Sequence, residues 1–392
     1  MPEDISLKHK IALGLIPGIG DINARKLVSY MGSVEAVFHE SYRNLVKIPG
    51  IGTSLARYIS DRSYLEIAER EAYVLSLSFS NFSDRSYLEI AEREAEYVSL
   101  KNIKVYFYLD NDYPFRLRQC DDSPVTFFYK GTSDLNSLKI LSVVGTRNAT
   151  SRGRENCEKI IGGLAGGHPD LIIVSGLAYG IDIASHKAAI SNNIQTIAVL
   201  AHGFKTIYPS VHRPTADTIL RNGGLLSDFL SDALPERNNF IKRNRIIAGI
   251  SDATLVIESG IKGGALITAD IANSYNRDVL AVPGRPDDQW SAGCNNLIKT
   301  SKAALVENAG DIEYFLNWKP EKSAVPLQKT LFSDLDDKEK SIYELLSAES
   351  EMTIDAICRK LDLPVFKLSS ILLQMEFKGL IKCYPGNIYR TV

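Results

Sequence analysis

Lys139-Ile140-Leu141-Ser142-Val143-Val144-Gly145-Thr146-Arg147 opens the series of segments that decides the fold. Further short apolar runs follow at 170–176, 195–201, 224–229, 253–259, 278–284 and 303–308, each closed by a turn signal. They are rich in Val, Ile and Leu and barely alternate, as strands buried on both faces of a parallel sheet do. Stretches of helical length separate them. Strand, Gly-rich turn and helix in repetition predict a doubly wound, Rossmann-like α/β sheet. Runs at 104–109 and 125–129 read as two further strands on one edge of it.

The chemistry of such a sheet lies beyond the carboxyl ends of its strands. Those ends carry Gly145-Thr146-Arg147, then Ser175-Gly176 and Gly180-Ile181-Asp182, then Lys262-Gly263-Gly264 with Thr268 in the next helix. Glycines let backbone amides approach a bound group, and a helix N-terminus favours an anion, so a phosphate site is expected. The first turn is not G-x-G-x-x-G and no acidic residue ends the second strand, so a dinucleotide is a weak reading and no cofactor is expected. Arg147 offers a guanidinium instead, which suits phosphates met one at a time along a nucleic-acid backbone. The bland alternative is an arginine that pairs with Asp182 and fixes the turn. Lys205 offers a phosphate contact, and Phe204 or Tyr208 a ring for a base. Alternatively, Tyr208-Pro209 closes a loop over the core. Phe240-Ile241-Lys242-Arg243-Asn244-Arg245 begins the densest basic run of this region, and at the open end of the sheet it reads as an electrostatic groove. These strand-end residues form the expected DNA-binding set.

Catalytic and metal-binding arrangements are not evident. His186 and His202 have hydroxyls nearby in sequence, yet no triad spacing and no G-x-S-x-G elbow occur. No paired carboxylates sit at strand ends, and Glu258 is the best lone candidate. The five cysteines are scattered without a C-x-x-C pair, so neither structural zinc nor a disulfide framework is expected. A length of 392 residues suggests two to four domains, and 45% hydrophobic with 23% charged residues suits a soluble protein. The net charge of −2 neither demands nor excludes nucleic acid. No signal peptide and no membrane-spanning run is seen, which predicts a cytoplasmic protein without membrane contact.

Both flanks of the sheet read as separate modules. Ile16-Pro17-Gly18-Ile19-Gly20 returns as Ile48-Pro49-Gly50-Ile51-Gly52, which predicts a helix-hairpin-helix (SAM-like) domain over 1–60. Such turns can grip a DNA phosphate through backbone N–H groups, or survive as a docking domain; Arg25, Lys26 and Arg57 favour the former, Asp21, Glu35 and Glu40 dilute them. Residues 60–72 recur letter for letter as 83–95. Functional repeats drift, so this copy reads as a recent duplication or a sequence error, with the second copy the native one. A connection at 61–97 leads to the Rossmann-like domain over 98–318. A linker at 319–336 precedes a winged helix at 337–392, whose third helix has a thin basic face and suits protein contact at least as well as DNA.

With these residues in hand, the chain resembles the DNA-processing protein A family (DprA/Smf). The resemblance rests on Gly145-Thr146-Arg147, Ser175-Gly176-x-Ala178-x-Gly180-Ile181-Asp182, Tyr208-Pro209, Phe240-x-x-Arg243-Asn244-Arg245-Ile246-Ile247-Ala248-Gly249, Gly264-Ala265-Leu266-Ile267-Thr268-Ala269, Val282-Pro283-Gly284 and Asn296-Leu297-Ile298. It spans roughly residues 106–315. Thr146 stands where the family more often has Ser, and Asp228 where Glu is usual. The resemblance implies a non-enzymatic protein that binds and protects single-stranded DNA, loads a RecA-type recombinase during natural transformation, and dimerises through the Rossmann-like domain. It implies that Arg147 grips phosphate and that Arg243 and Arg245 belong to the DNA groove. The rival reading is a nucleotide-processing enzyme of the phosphoribohydrolase (lysine-decarboxylase-like) type, against which Thr268 and Asp270 stand where a catalytic Glu belongs.

Overall fold

Alternation along strand β3 (Lys139–Val144) sets the two layers of the molecule. In the computed structural model Ile140 and Val144 join one apolar core, and Leu141 and Val143 join another, because successive side chains leave a strand on opposite faces. The structure describes residues 2–60, 87–319, 336–349, 351–378, 380–384 and 387–391. Two compact units are formed, Met1–Glu321 and Lys322–Val392.

The first unit is built on a nine-stranded sheet in the order β1-β2-β6-β5-β4-β3-β7-β8-β9. The other strands are β1 (Lys104–Phe107), β2 (Thr126–Gly131), β4 (Leu171–Ser175), β5 (Gln195–Val199), β6 (Gly223–Ser227), β7 (Ala253–Val256), β8 (Asp278–Ala281) and β9 (Ala304–Leu305). Strands β3 to β9 pair in parallel, as the apolar runs predict. Strands β1 and β2 extend the β6 edge in antiparallel fashion. The order reverses at β3: β4, β5 and β6 lie to one side, β7, β8 and β9 to the other. The crevice of this sheet therefore opens above the carboxyl ends of β3 and β7.

Helices Ser151–Ala165 and Ile181–Ser191 cover one face through Ile160, Ile161, Leu164 and Ile181. Helices Arg237–Ile250 and Gly264–Ser274 cover the other through Ile246, Ile247, Ala265 and Ala269. Ser142, in the middle of β3, meets the Thr254 hydroxyl at 2.8 Å and donates to the Ala253 carbonyl at 3.2 Å. A polar side chain at the centre of the sheet is thus fully used.

The N-terminal repeat folds as two equivalent turns. Ile19 N–H donates to the Ile16 carbonyl at 3.1 Å and Ile51 N–H to the Ile48 carbonyl at 3.0 Å. Gly18 and Gly50 share positive φ angles of 75° and 89°. All four isoleucines enter one core that also takes in Phe107 of β1 and Val125 beside β2. The first turn is spoken for internally. Asp21, at the start of helix Asp21–Met31, accepts from the Val125 amide at 2.8 Å and lies 3.2 Å from the Arg245 guanidinium. Arg25 donates to Ser123 and lies over the Tyr108 ring. The charged side chains beside the first turn are thus committed to the sheet that follows.

The second copy of the duplicated segment lies largely in helix Tyr87–Leu100. Its Ala91 and Val98 pack with Ile11 and Ala12 of helix Pro2–Leu13, and its Glu94 accepts from the Ser231 amide and hydroxyl at 2.9 and 2.7 Å. The first copy beyond Ser60, and nearly all of the expected linker, lie outside the described residues.

The second unit is a winged helix. Helices Asp337–Glu349, Ile354–Leu361 and Val365–Phe377 enclose a core of Ile342, Leu346, Ile357, Leu368, Leu372 and Met375. Its sheet runs β10 (Met352–Thr353), β12 (Ile388–Thr391), β11 (Ile381–Tyr384). The two-residue β10 is too short to leave a sequence pattern. On the third helix Phe366, Leu373 and Phe377 remain exposed along one stripe, at spacings of seven and four residues. That face is apolar rather than basic.

Arg245 ties the layers of the first unit together. Its side chain is nearly buried, donates to Asp228 at 2.7 Å and to the Asp122 carbonyl, and reaches Asp21. Replacing it with methionine strands the buried Asp228 carboxylate. Urea denaturation of Arg245→Met is expected to show a loss of about 3 kcal/mol, the usual cost of removing one partner of a buried ion pair.

Candidate nucleic-acid interface

The loop after β3 is held from both sides. Thr146 N–H donates to the Glu258 carbonyl at 2.7 Å, and the Thr146 carbonyl accepts from Ile181 N–H at 3.1 Å. The Asn148 amide closes it on Thr146 Oγ1 at 3.2 Å. Gly145 packs tightly here, since a Cβ on it would lie 2.4 Å from Ile181. Gly180 caps helix Ile181–Ser191 with a φ of 79°. A Cβ at that position would stand 2.1 Å from the Thr146 carbonyl oxygen, so only glycine fits.

This clamp presents Arg147 to solvent. Its guanidinium lies over the Phe240 ring, 5.0 Å from the centroid. Tyr208 meets the same Phe240 edge-on at 5.9 Å and is 46% exposed. Two neighbouring cations repeat the arrangement: Lys242 over Phe229 at 5.4 Å and Lys205 over Tyr97 at 5.3 Å. Exposed cations resting on rings combine phosphate attraction with faces for bases. Lys262 is exposed in the loop after β7, and Gly263 caps the helix that follows.

Beneath the exposed layer lies a buried one. Arg243 is 3% exposed and donates to the carbonyls of Gly176, at 2.7 Å, and Val199. Its guanidinium faces the Asp182 carboxyl across Gly176, where a Cβ would meet both groups at 2.5 Å. Burial pushes the Arg243 pKa down to about 10, with Asp182 acting against the fall, so the guanidinium stays charged at neutral pH. Burial likewise raises Asp182, opposed first by Arg243. Arg243, not Arg147, is therefore the principal partner of Asp182. Ser175 donates to the Val143 carbonyl at 2.6 Å, across to β3.

These positions correct the expected groove. Arg243 and Arg245 are internal, because carbonyls and carboxylates consume their donors. Ser175, Gly176 and Thr268 are buried as well. Of the basic run, Lys242 is exposed and Asn244 half-buried, its Oδ1 accepting from Arg243 at 3.2 Å. The structure brings Arg147, Tyr208 and Phe240 together, with Lys205 and Lys242 beside them in sequence. Phe240, the central ring, had no assigned role in the sequence; its signal was an aromatic opening the basic run.

Glu258 is not free for catalysis. Its carboxylate accepts from the Thr150 amide at 2.8 Å and the Thr150 hydroxyl at 2.7 Å. It thereby fills the anion position at the N-terminus of helix Ser151–Ala165 with the chain's own charge.

Residues 104–317 match the family described as DNA recombination-mediator protein A. The chain belongs to that family. Residues 328–387 match the DprA winged helix domain. The chain is 35% identical over 313 residues to protein Smf of Synechocystis, covering 72% of this chain and 78% of that one. It is 40% identical over 204 residues to the DNA processing protein DprA of Streptococcus pneumoniae, covering 52% and 71%. The X-ray structure of the Streptococcus pneumoniae protein superposes with a TM-score of 0.63 at 30% identity, covering 78% of this chain and 97% of that one. Among the described residues no helix is long and apolar enough to cross a membrane.

One buried group makes the region pH-sensitive. His186 sits 2.7 Å from the Thr196 hydroxyl through Nδ1, and its Nε2 has no partner. Burial, with the Arg243 and His212 charges, pushes its pKa down to about 3. In the unfolded chain the ring titrates near 6.5. As pH falls through that window the unfolded state gains a proton that the folded state refuses, so stability is lost, at up to about 1.4 kcal/mol per pH unit. Stability from urea titrations at pH values between 6.5 and 3 is expected to fall less steeply in His186→Gln than in the parent.

Proposed function

We propose that the protein binds single-stranded DNA across the carboxyl ends of its sheet, shields it, and hands it to a RecA-type recombinase, catalysing no reaction itself. This work belongs to recombination of incoming DNA in natural transformation and to the cytoplasm. The arrangement that carries the reading is Arg147 stacked on Phe240 with Tyr208 against the same ring. A cation for the backbone and the exposed Tyr208 ring for a base suit an unpaired strand, whose bases are free to stack, better than a duplex. The family description as a recombination mediator supports the recombinase step. Gly145, Thr146 and Gly180 act by holding Arg147 out, while Arg147, Lys205, Tyr208, Lys242 and Lys262 supply exposed groups.

Fluorescence anisotropy with labelled oligo-dT tests this. Affinity is expected to exceed that for duplex and to fall linearly in log salt, with a slope of about 0.7 per phosphate contacted. Arg147→Glu should abolish most of it, and Phe240→Ala should weaken it roughly tenfold, since one stacked base is worth about 1–3 kcal/mol. Equal affinity for duplex, or full binding by Arg147→Glu, overturns the proposal.

The working form we propose is a homodimer through the Rossmann-like domain. Tyr314 is 82% exposed, with half-exposed Phe315 beside it and exposed Leu305 on the edge strand β9. Large apolar groups left in water support this choice of surface. Light scattering of Tyr314→Glu/Phe315→Glu is expected to give monomer where the parent gives dimer.

A further inference from the structure

A cavity of about 400 Å³ opens beside the loop after β3, and Arg147, Tyr208 and Phe240 are not among its lining residues. It sits over the reversal point of the sheet, between the start of helix Ser151–Ala165 and the carboxyl ends of β7 and β8. Small ligands of doubly wound sheets enter at this place. Its volume is that of a mononucleotide rather than of a strand.

The lining is selective. Thr150, Gly153 and Glu258 form the floor, already satisfied by one another. Asp288 accepts from Ser291 Oγ at 2.7 Å and from the Trp290 amide at 3.1 Å, which fixes the loop that forms the far wall. Arg152, Arg285 and Asp287 line the opening and are exposed. Neither arginine is among the ion pairs of the described residues. Arg152 and Arg285 come to this one opening from different segments of the chain, the start of helix Ser151–Ala165 and the stretch after β8. Two guanidiniums at one opening, in no ion pair within 4 Å among the described residues, fit a phosphate with more than one charged oxygen. A free carboxylate at the rim accepts from sugar hydroxyls, as acidic residues do in nucleotide-binding sheets. The Asn156 side chain adds an amide that can donate to and accept from a base edge. Because Glu258 holds the helix N-terminus, the phosphate belongs on the arginines and not on the helix.

We infer that this cavity binds a nucleoside 5′-monophosphate group, with the phosphate on Arg152 and Arg285 and the sugar on Asp287. The site is separate from the Arg147 platform and does not depend on it. The same chemistry is carried by a free mononucleotide and by the 5′-phosphorylated end of a DNA strand, both of which occur where DNA is processed.

Isothermal titration of the full chain with dAMP and AMP, and with inorganic phosphate as control, tests the site. Binding in the millimolar range or tighter is expected for the nucleotides. It should fall at least tenfold in Arg152→Ala and in Arg285→Ala, and stay unchanged in Arg147→Ala. In a second arm, a short oligonucleotide with a 5′-phosphate competes with dAMP if strand ends are the source, and an unphosphorylated one does not; if neither competes, the free nucleotide is the ligand. Absence of heat from any nucleotide overturns the inference. So does binding that survives both arginine substitutions or is lost in Arg147→Ala. Failure of oligo-dT binding with nucleotide binding intact would sink the DNA proposal and leave this one standing.

Discussion

The exposed chemistry of this protein depends on a charge that never reaches water. Arg243 lies under the strand ends, gives its donors to the carbonyls of Gly176 and Val199, and faces Asp182. Burying a guanidinium costs several kcal/mol unless its donors are met and its charge is balanced. Here the Gly176, Val199 and Asn244 oxygens take its donors and the Asp182 carboxyl faces it, which ties together the ends of β4 and β5 and the start of helix Ile181–Ser191. That helix start in turn accepts the loop bearing Arg147 through Ile181 and Gly180. The visible cation is placed by the hidden one.

The sheet was legible because burial on both faces leaves a strong mark: continuous Val, Ile and Leu between glycine turns. The added edge strands were legible from strand-favouring aromatic runs instead, Val105-Tyr106-Phe107 and Phe127-Phe128-Tyr129. The division of labour among the arginines was not. Arg147, Arg243 and Arg245 look alike in a sequence, and a basic run looks like a surface. Which guanidinium is buried depends on carbonyls and carboxylates contributed from far along the chain: Gly176, Val199, Asp122, Asp228 and Asp21. Helical spacing alone put Phe240 and Arg243 one turn apart without saying which would face out. Glu258 escaped for a similar reason, since its partner Thr150 is remote in sequence.

The two flanking modules differ in how they use familiar shapes. The hairpin turns keep their form, yet the first commits its acidic start and its arginine to the neighbouring sheet. The winged helix offers Phe366, Leu373 and Phe377 where a DNA reader would carry charge. Each retains the backbone of a nucleic-acid module, while the side chains at these positions are either committed within the protein or apolar.

The bridge from Asp21 through Arg245 to Asp228 crosses what the sequence presents as a domain boundary. Phe107 and Val125 cross it too, sharing a core with the N-terminal isoleucines. Modules joined by a shared core and a buried ion pair cannot melt one after the other. Heating should therefore meet a single cooperative block running from the first helix to the last strand of the large sheet.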